Sequence, residues 1–180
     1  MLIVCESAQK VTNIKINGVN FMKCLVFSDS HGNPFYMKRA IAKNPDAEVV
    51  FFLGDGISDA ESVAVEDRCR MWIAVRGNCD FSNFFCNRQL NKTEEITLLG
   101  KKIMLTHGDL YGVKGGMENI ALAARSRGAD IVLFGHTHLP YESYVDGLYF
   151  FNPGSISQPH FSFGILTLTE CGVLFSHGSF

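Results

Sequence analysis

The chain has 180 residues, 47% of them hydrophobic and 19% charged, which is ordinary for one soluble globular domain with a sizeable core. A formal net charge of -2, with no run of Lys or Arg, argues against an electrostatic grip on long nucleic acid or on an anionic membrane surface. No apolar stretch reaches the roughly 20 residues that span a bilayer, and no secretory signal pattern opens the chain, so a cytoplasmic protein is expected.

Met22-Lys23-Cys24-Leu25-Val26-Phe27 runs straight into Asp29-Ser30-His31, so the domain is expected to begin at Met22. Residues 1–21 then form an N-terminal extension with two readings. The favoured one is a misassigned start, with Met22 as the natural first residue. The other is an extra edge strand over residues 11–16, joined through Asn17-Gly18 as a hairpin to strand 23–28. Pro34 near the first turn starts a helix to about residue 43. Val49-Val50-Phe51-Phe52-Leu53 reads as a second buried strand, Ser58 as the cap of a helix to about residue 68, and Met71-Trp72-Ile73-Ala74-Val75 as a third strand. This is the rhythm of parallel βαβ units.

The second half changes character. Residues 95–99 and 102–106 read as a hairpin through Gly100-Lys101 that ends at His107. A helix over about residues 114–127 leads to strand 130–134. Asp146-Gly147 joins two short strands, and Glu170-Cys171-Gly172 joins the last two, 163–169 and 173–177. Parallel and antiparallel pairing together predict an α/β fold with a mixed sheet or two stacked sheets and helices outside. Residues 22–180 form a single domain without internal repeat or linker. The six cysteines include no Cys-x-x-Cys pair and are expected as reduced thiols, Cys24 and Cys171 as small core residues.

At the ends of these apolar runs stand Asp29-Ser30-His31, Gly54-Asp55, Gly77-Asn78, His107 and Gly135-His136-Thr137-His138. Parallel strands ending at one sheet edge would deliver all of them to one crevice. Asp29 and His31 are two apart on an extended run, as are His136 and His138, so each pair points to one side. Gly54, Gly77 and Gly135 let the backbone turn and leave room. Carboxylate, imidazole and amide oxygen without a thiolate cluster argue against a four-thiolate zinc site or an iron–sulfur cluster, and favour Mn, Fe, Co, Ni or Zn over Ca or Mg. Seven such ligands suit two divalent ions, and a carboxylate such as Asp55 has two oxygens with which to bridge them. Two ions, two aspartates and a shared hydroxide would sum to about +1, which attracts a phosphate anion. Hydrolysis of a phosphate ester is the expected reaction.

The ordered series Asp-x-His, Gly-Asp, Gly-Asn, a lone His and Gly-His-x-His is similar to that of the calcineurin-like metallophosphoesterases. The short length, Val75-Arg76-Gly77-Asn78-Cys79-Asp80 and Asn152-Pro153-Gly154-Ser155 resemble the small phosphodiesterases of the YfcE type, relatives of the phosphoesterase-like subunit of retromer. The resemblance covers residues 22–180. It implies a four-layer α-β-β-α sandwich of two mixed sheets flanked by helices, and a Mn-preferring dinuclear site. Asp29, His31 and His138 would bind the first ion, Asn78, His107 and His136 the second, and Asp55 would bridge them. The implied reaction is hydrolysis of a small phosphate diester by a hydroxide held between the ions, with Asn78 helping to bind the phosphoryl oxygens. The alternatives are a non-catalytic protein-binding scaffold like the retromer subunit, and a phosphomonoesterase or nucleotide pyrophosphatase. That all seven positions carry competent ligands favours the enzyme.

Larger members of the family carry a His directly after the metal-binding Asn, where this chain has Cys79. A thiol matches the role of leaving-group acid poorly, which favours diesters and good leaving groups. Asp80, which would orient that His, is then a candidate only for supporting the ligands. Arg76 is read as solvent-exposed or surface-paired against a contact to phosphate, and His160 and His177 as structural or surface groups. Phe81, Phe84 and Phe85 are read as core or as the interface of a homo-oligomer, with a stacking wall for an aryl or nucleoside substrate as the second reading.

Overall fold

Runs of Val, Ile, Leu and Phe too apolar to alternate with polar residues make strands that must be covered on both faces, and that requirement sets the layers of this molecule. The computed structural model describes residues 14–16 and 19–180; residues 11–13 of the proposed edge strand and its Asn17-Gly18 turn lie outside them. In chain order the first half contains β1 (Ile14–Ile16), β2 (Val19–Phe27), α1 (Phe35–Lys43), β3 (Val49–Phe52), α2 (Ile57–Glu66), β4 (Met71–Ala74), β5 (Phe84–Phe85) and β6 (Arg88–Gln89). The second half contains β7 (Thr93–Leu98), β8 (Lys101–Thr106), a 3-10 turn (Asp109–Tyr111), α3 (Glu118–Ser126), β9 (Ile131–Phe134), β10 (Pro140–Val145), β11 (Leu148–Pro153), β12 (Ser162–Thr169) and β13 (Gly172–Ser179).

Two mixed sheets result. The first has the order β13-β12-β2-β3-β4, with β1 also on β2, and the second β10-β11-β9-β8-β7. In the first sheet β2, β3 and β4 are parallel, and in the second β8, β9 and β11 are. Successive residues of each central strand serve two different cores. Cys24, Val26, Val49 and Phe51 meet Ile103, Leu105, Ile131 and Leu133 between the sheets. Leu25, Phe27, Val50 and Phe52 instead meet Met37 and Ala40 of α1 and Ala60 and Val63 of α2. Met104, Val132 and Phe134 meet Ile120 and Ala124 of α3. The layers therefore run α1/α2, first sheet, second sheet, α3, the α-β-β-α sandwich expected from the resemblance.

Some local expectations change. β2 begins at Val19 rather than near Met22, and β1 pairs with it antiparallel, Ile14 opposite Phe21 and Ile16 opposite Val19. Ser58 is not a cap: α2 starts at Ile57 with Gly56 in the capping position. α3 starts only at Glu118, because Gly108, Gly112 and Gly116 adopt positive φ and break the run that leads to it. Cys24 is fully buried, and burial pushes its thiol far above the ordinary range, whereas Cys171 is exposed in the turn between β12 and β13. A tight turn leaves no interior for its side chain. Phe85 is core against Trp72, but Phe81 and Phe84 stay exposed. Among the described residues no helix is long and apolar enough to cross a membrane.

The inter-sheet layer should dominate stability. Phe51→Ala is expected to cost about 3–5 kcal/mol, through lost transfer energy and the cavity left behind, while Leu122→Ala on the exposed face of α3 should stay within about 0.5 kcal/mol. Equilibrium urea unfolding of the two variants checks this; equal midpoints would mean that the inter-sheet core is not where folding free energy concentrates.

Candidate metal centre

All six parallel strands, three from each sheet, end at one edge, and each continues into a short loop. The loops after β2, β3 and β4 carry Asp29 and His31, Asp55, and Asn78. The loops after β8 and β9 carry His107, and His136 and His138, and β11 ends at Asn152-Pro153. All seven ligands expected from the sequence therefore converge.

They form two groups. Asp29, His31 and His138 offer ligand atoms within 4.8 Å of one another, and so do Asp55, His107 and His136. Asn78 joins the second through its Oδ1, 3.1 Å from His107 Nε2. His107 Nε2 also lies 3.3 Å from Asp55 Oδ2 and 4.0 Å from Asp29 Oδ1, so the groups adjoin. His31 and His138 bring their Nε2 atoms to 3.3 Å, and His136 Nδ1 stands 3.2 Å from His107 Nε2.

The donor set fits a divalent cation in each group. Asp29 Oδ1 is buried without a hydrogen-bond donor while facing His138 Nε2 at 3.1 Å and His31 Nε2 at 3.8 Å. A buried carboxylate oxygen surrounded by imidazole nitrogens, none of them aligned to donate to it, is the arrangement a cation satisfies. His107 is fully buried and its Nδ1–H donates to Leu53 O at 2.8 Å, which fixes the tautomer and leaves Nε2 to the site.

Electrostatics follow the same geometry. Burial works against the charged form of Asp55, but hydrogen bonding and charge from His107, with the Cys79 N–H and thiol bonds, hold its carboxyl well below the usual range. Burial lowers His107, yet its hydrogen bond to Asp55 and the charges of Asp29 and Asp55 raise it overall. The adjoining Asp29 carboxylate raises His138. His136 is lowered, by burial first and then by His107.

The backbone is as unusual as the side chains. Asp29, His31, Asp55, His136 and His138, five of the seven candidate ligands, have φ between 46° and 66°. Left-handed backbone costs a non-glycine residue about 1–2 kcal/mol, although Asp and His tolerate it better than most. Neighbouring groups hold these conformations. Asp29 N–H donates to Gly54 O and His31 N–H to Asp55 O, at 3.0 and 3.2 Å. Ser155 and Ser157 hydroxyls both donate to Asp29 O at 2.9 Å. His136 N–H donates to Asp29 Oδ2 at 3.2 Å. Asn152 Nδ2 donates to Gly135 O at 2.8 Å, and its Oδ1 accepts from Gly154 N–H, so the Asn-Pro-Gly-Ser segment does border the site.

Gly54 and Gly77 are needed for contact rather than for open room. A Cβ on Gly54 would lie 2.5 Å from Gly77 N, and one on Gly77 would lie 2.1 Å from Asp55 Oδ1. Asp80 locks these touching turns. Its Oδ2 accepts from Asp55 N–H and Gly77 N–H at 2.8 and 2.9 Å, and its Oδ1 from Gly56 N–H and Ile57 N–H at 2.7 and 2.9 Å. It thereby caps α2, the role Ser58 was expected to take.

Cys79 lies beside Asp55, which accepts the Cys79 N–H at 2.8 Å. The hydrogen bond of its thiol to Asp55, then partial burial, holds the thiol above its ordinary range, so it stays protonated. Arg76 turns away and donates to Asn83 Oδ1. His177 is structural, stacked on Phe151 and 2.8 Å from Asn152 O. Sequence reasoning missed Asp59, whose Oδ2 accepts from Ser30 Oγ at 2.6 Å and Gly32 N–H at 2.7 Å. In sequence it looks like an ordinary acidic residue in the first turn of a helix.

The profile of the calcineurin-like phosphoesterase superfamily domain matches residues 22–171. YsnB of Bacillus subtilis, which carries the name of a metallophosphoesterase, is 37% identical over 153 residues, covering 82% of this chain and 85% of that protein. The Escherichia coli phosphodiesterase YfcE is 29% identical over 156 residues, covering 77% and 81%. The structure of vacuolar protein sorting 29 from Cryptosporidium parvum superposes with a TM-score of 0.73 over 89% of this chain and 99% of that one, at 18% identity, a likeness of fold alone. With its ordered ligand motifs, layered sheets and convergent donor groups, the chain belongs to the calcineurin-like phosphoesterase superfamily.

Proposed function

We propose that the protein is a metal-dependent phosphodiesterase acting on a small phosphate diester. Asp29, His31 and His138 would hold one divalent ion and Asn78, His107 and His136 a second, with Asp55 serving both. The observation that carries this reading is the pair of adjoining donor groups, each with one carboxylate and two imidazoles. The buried, donor-less Asp29 Oδ1 at their junction supports it. When bound, divalent ions supply a water of lowered pKa and positive charge against the phosphoryl oxygens. Mn is the favoured metal, with Fe, Co, Ni or Zn compatible with the same donors.

The protein's own groups do the positioning. Asn78 offers an amide beside the second donor group, with its Nδ2 donating to Cys79 Sγ at 3.1 Å. His107 is held by Leu53 O, and Asp55 by Asp80 through its backbone. Cys79, protonated and hydrogen-bonded to Asp55, is a weak acid beside the reacting region, which favours diesters with good leaving groups over alkyl monoesters. The name of YfcE supports the diester reading. A cytoplasmic location belongs to the same proposal. The scaffold alternative finds no better support: none of the seven ligand positions is lost, and the likeness to vacuolar protein sorting 29 concerns the fold.

Chelator-stripped protein should hydrolyse bis(p-nitrophenyl) phosphate only after Mn²⁺ is restored, faster than the monoester, and Asp55→Ala should abolish that turnover. Metal-dependent rates near the parent in Asp55→Ala would remove Asp55 from its shared role, and metal-loaded wild type inert towards diesters would end the phosphodiesterase reading. Asp80→Asn should weaken Mn²⁺ affinity roughly ten- to a hundredfold, because its carboxylate orients the loop that carries Asp55. Calorimetric Mn²⁺ titration checks this, and parental affinity would contradict the positioning role.

A further inference from the structure

Beside the first donor group lies a cavity of about 260 Å³, lined by His31 and Asp55 on the ligand side and by Ile57, Cys79, Phe81 and Ser82 beyond them. Its size falls under the roughly 300–1,000 Å³ of pockets for drug-sized ligands, so the part of a substrate that enters it is small.

Phe81 is fully exposed at the mouth of this cavity, while Phe85 of the same aromatic run is core. A phenylalanine ring left in water gains by whatever apolar surface covers it. The loop that carries it is pinned on its far side: Arg76 donates to Asn83 Oδ1, and Phe84 N–H donates to Ser82 Oγ at 3.1 Å. The cavity's charges are of one sign. Asp55, Asp59 and Asp80 line it, with no Lys or Arg among the lining residues. Asp80 and Asp59 are committed to N–H and O–H donors of the protein itself. Beyond the donor groups, a further phosphate or carboxylate on a substrate would meet no Lys or Arg of this cavity to pair with.

We infer that this cavity receives the leaving group of the diester, and that this group is a single uncharged aryl ring laid against Phe81. The inference rests on the phosphodiesterase reading above and narrows it, setting nucleotide pyrophosphates apart. In the overall step, the oxygen of water forms a bond to phosphorus. The bond from phosphorus to the ring-bearing oxygen breaks with its electron pair, and that oxygen takes a proton of the water. A phosphate monoester and a neutral alcohol result.

The test compares wild type with Phe81→Ala and Phe81→Trp. Phe81 is solvent-exposed, so neither variant endangers folding. With Mn²⁺-loaded protein, kcat/KM for methyl p-nitrophenyl phosphate should fall about tenfold in Phe81→Ala and persist in Phe81→Trp, as loss and retention of one stacking contact require. For the ringless diester bis(2,2,2-trifluoroethyl) phosphate, the Phe81→Ala rate should stay within about twofold of wild type, since no ring is stacked. Binding is read separately by ¹⁹F NMR with methyl 4-fluorobenzylphosphonate, whose ring is joined to phosphorus through carbon. Wild type should hold this probe about tenfold more tightly than Phe81→Ala does, and more tightly than an analogue with a ring carboxylate. Equal binding of the fluorobenzyl probe by wild type and Phe81→Ala, or equal kinetic loss on both diesters, overturns the ring site. Equal binding of the carboxylate analogue overturns the requirement for an uncharged group. Wild type that binds the probes as expected but turns over neither diester would refute the phosphodiesterase reading and leave the ring site standing.

Discussion

The structure depends on two tight turns whose backbones touch. The Gly-Asp turn after β3 and the Gly-Asn turn after β4 approach so closely that neither Gly54 nor Gly77 has room for a Cβ, and the carboxylate of Asp80 takes amide protons from both. A negative charge beside several N–H groups is favourable, and more so at the first turn of α2, where two of these donors would otherwise lack partners. The Gly-Asp pair at 54–55 and the Gly-x-x-Asp spacing of Gly77 and Asp80 therefore answer to backbone contact before they answer to chemistry. Asp55 inherits its position from that contact.

From this clamp the rest of the centre can be built against local preference. Left-handed conformations at five ligands are costly, and they are held by carbonyls and hydroxyls fixed in the loops around them, such as Ser155 and Ser157 on Asp29 O. The strain sits where function is proposed, and the two cores that flank the first sheet below these loops are built of buried apolar side chains. Rigid layers under strained loops are a way to keep imidazoles and carboxylates near one another although each repels or desolvates its neighbours.

Much of this was legible in the chain. Buried parallel strands announce themselves as unbroken apolar runs, Val49 to Leu53 being the clearest, and the motif at the end of each run is legible because strand ends share one edge. Which side chains would converge was legible because few residue types bind divalent cations and those types stand at the strand ends. What was hidden depends on long-range hydrogen bonds. Asp80 as a cap on α2 acts across 23 residues, Asp59 reaches back to Ser30 and Gly32, and no spacing rule predicts either. Ser58 looked like a cap because local propensity favours Ser there; the distant carboxylate won. The aromatic run after Asn78 misled in the other direction: three Phe in five residues suggest core, yet only Phe85 finds an interior against Trp72, because the short hairpin of β5 and β6 has one buried face.

Each donor group draws on both sheets. Asp29 and His31 come from the first sheet and His138 from the second; Asp55 comes from the first, and His107 and His136 from the second. The hydrogen bond from His107 to Leu53 O crosses the same seam. The candidate donors thus register sheet-against-sheet sliding: a shear between the layers would separate donors of one group from their partners. Cation affinity and the mechanical stiffness of the sandwich become two readings of one coordinate, so that a ligand seated at the edge would damp motion through the interior and loosening of the interior would be felt at the edge.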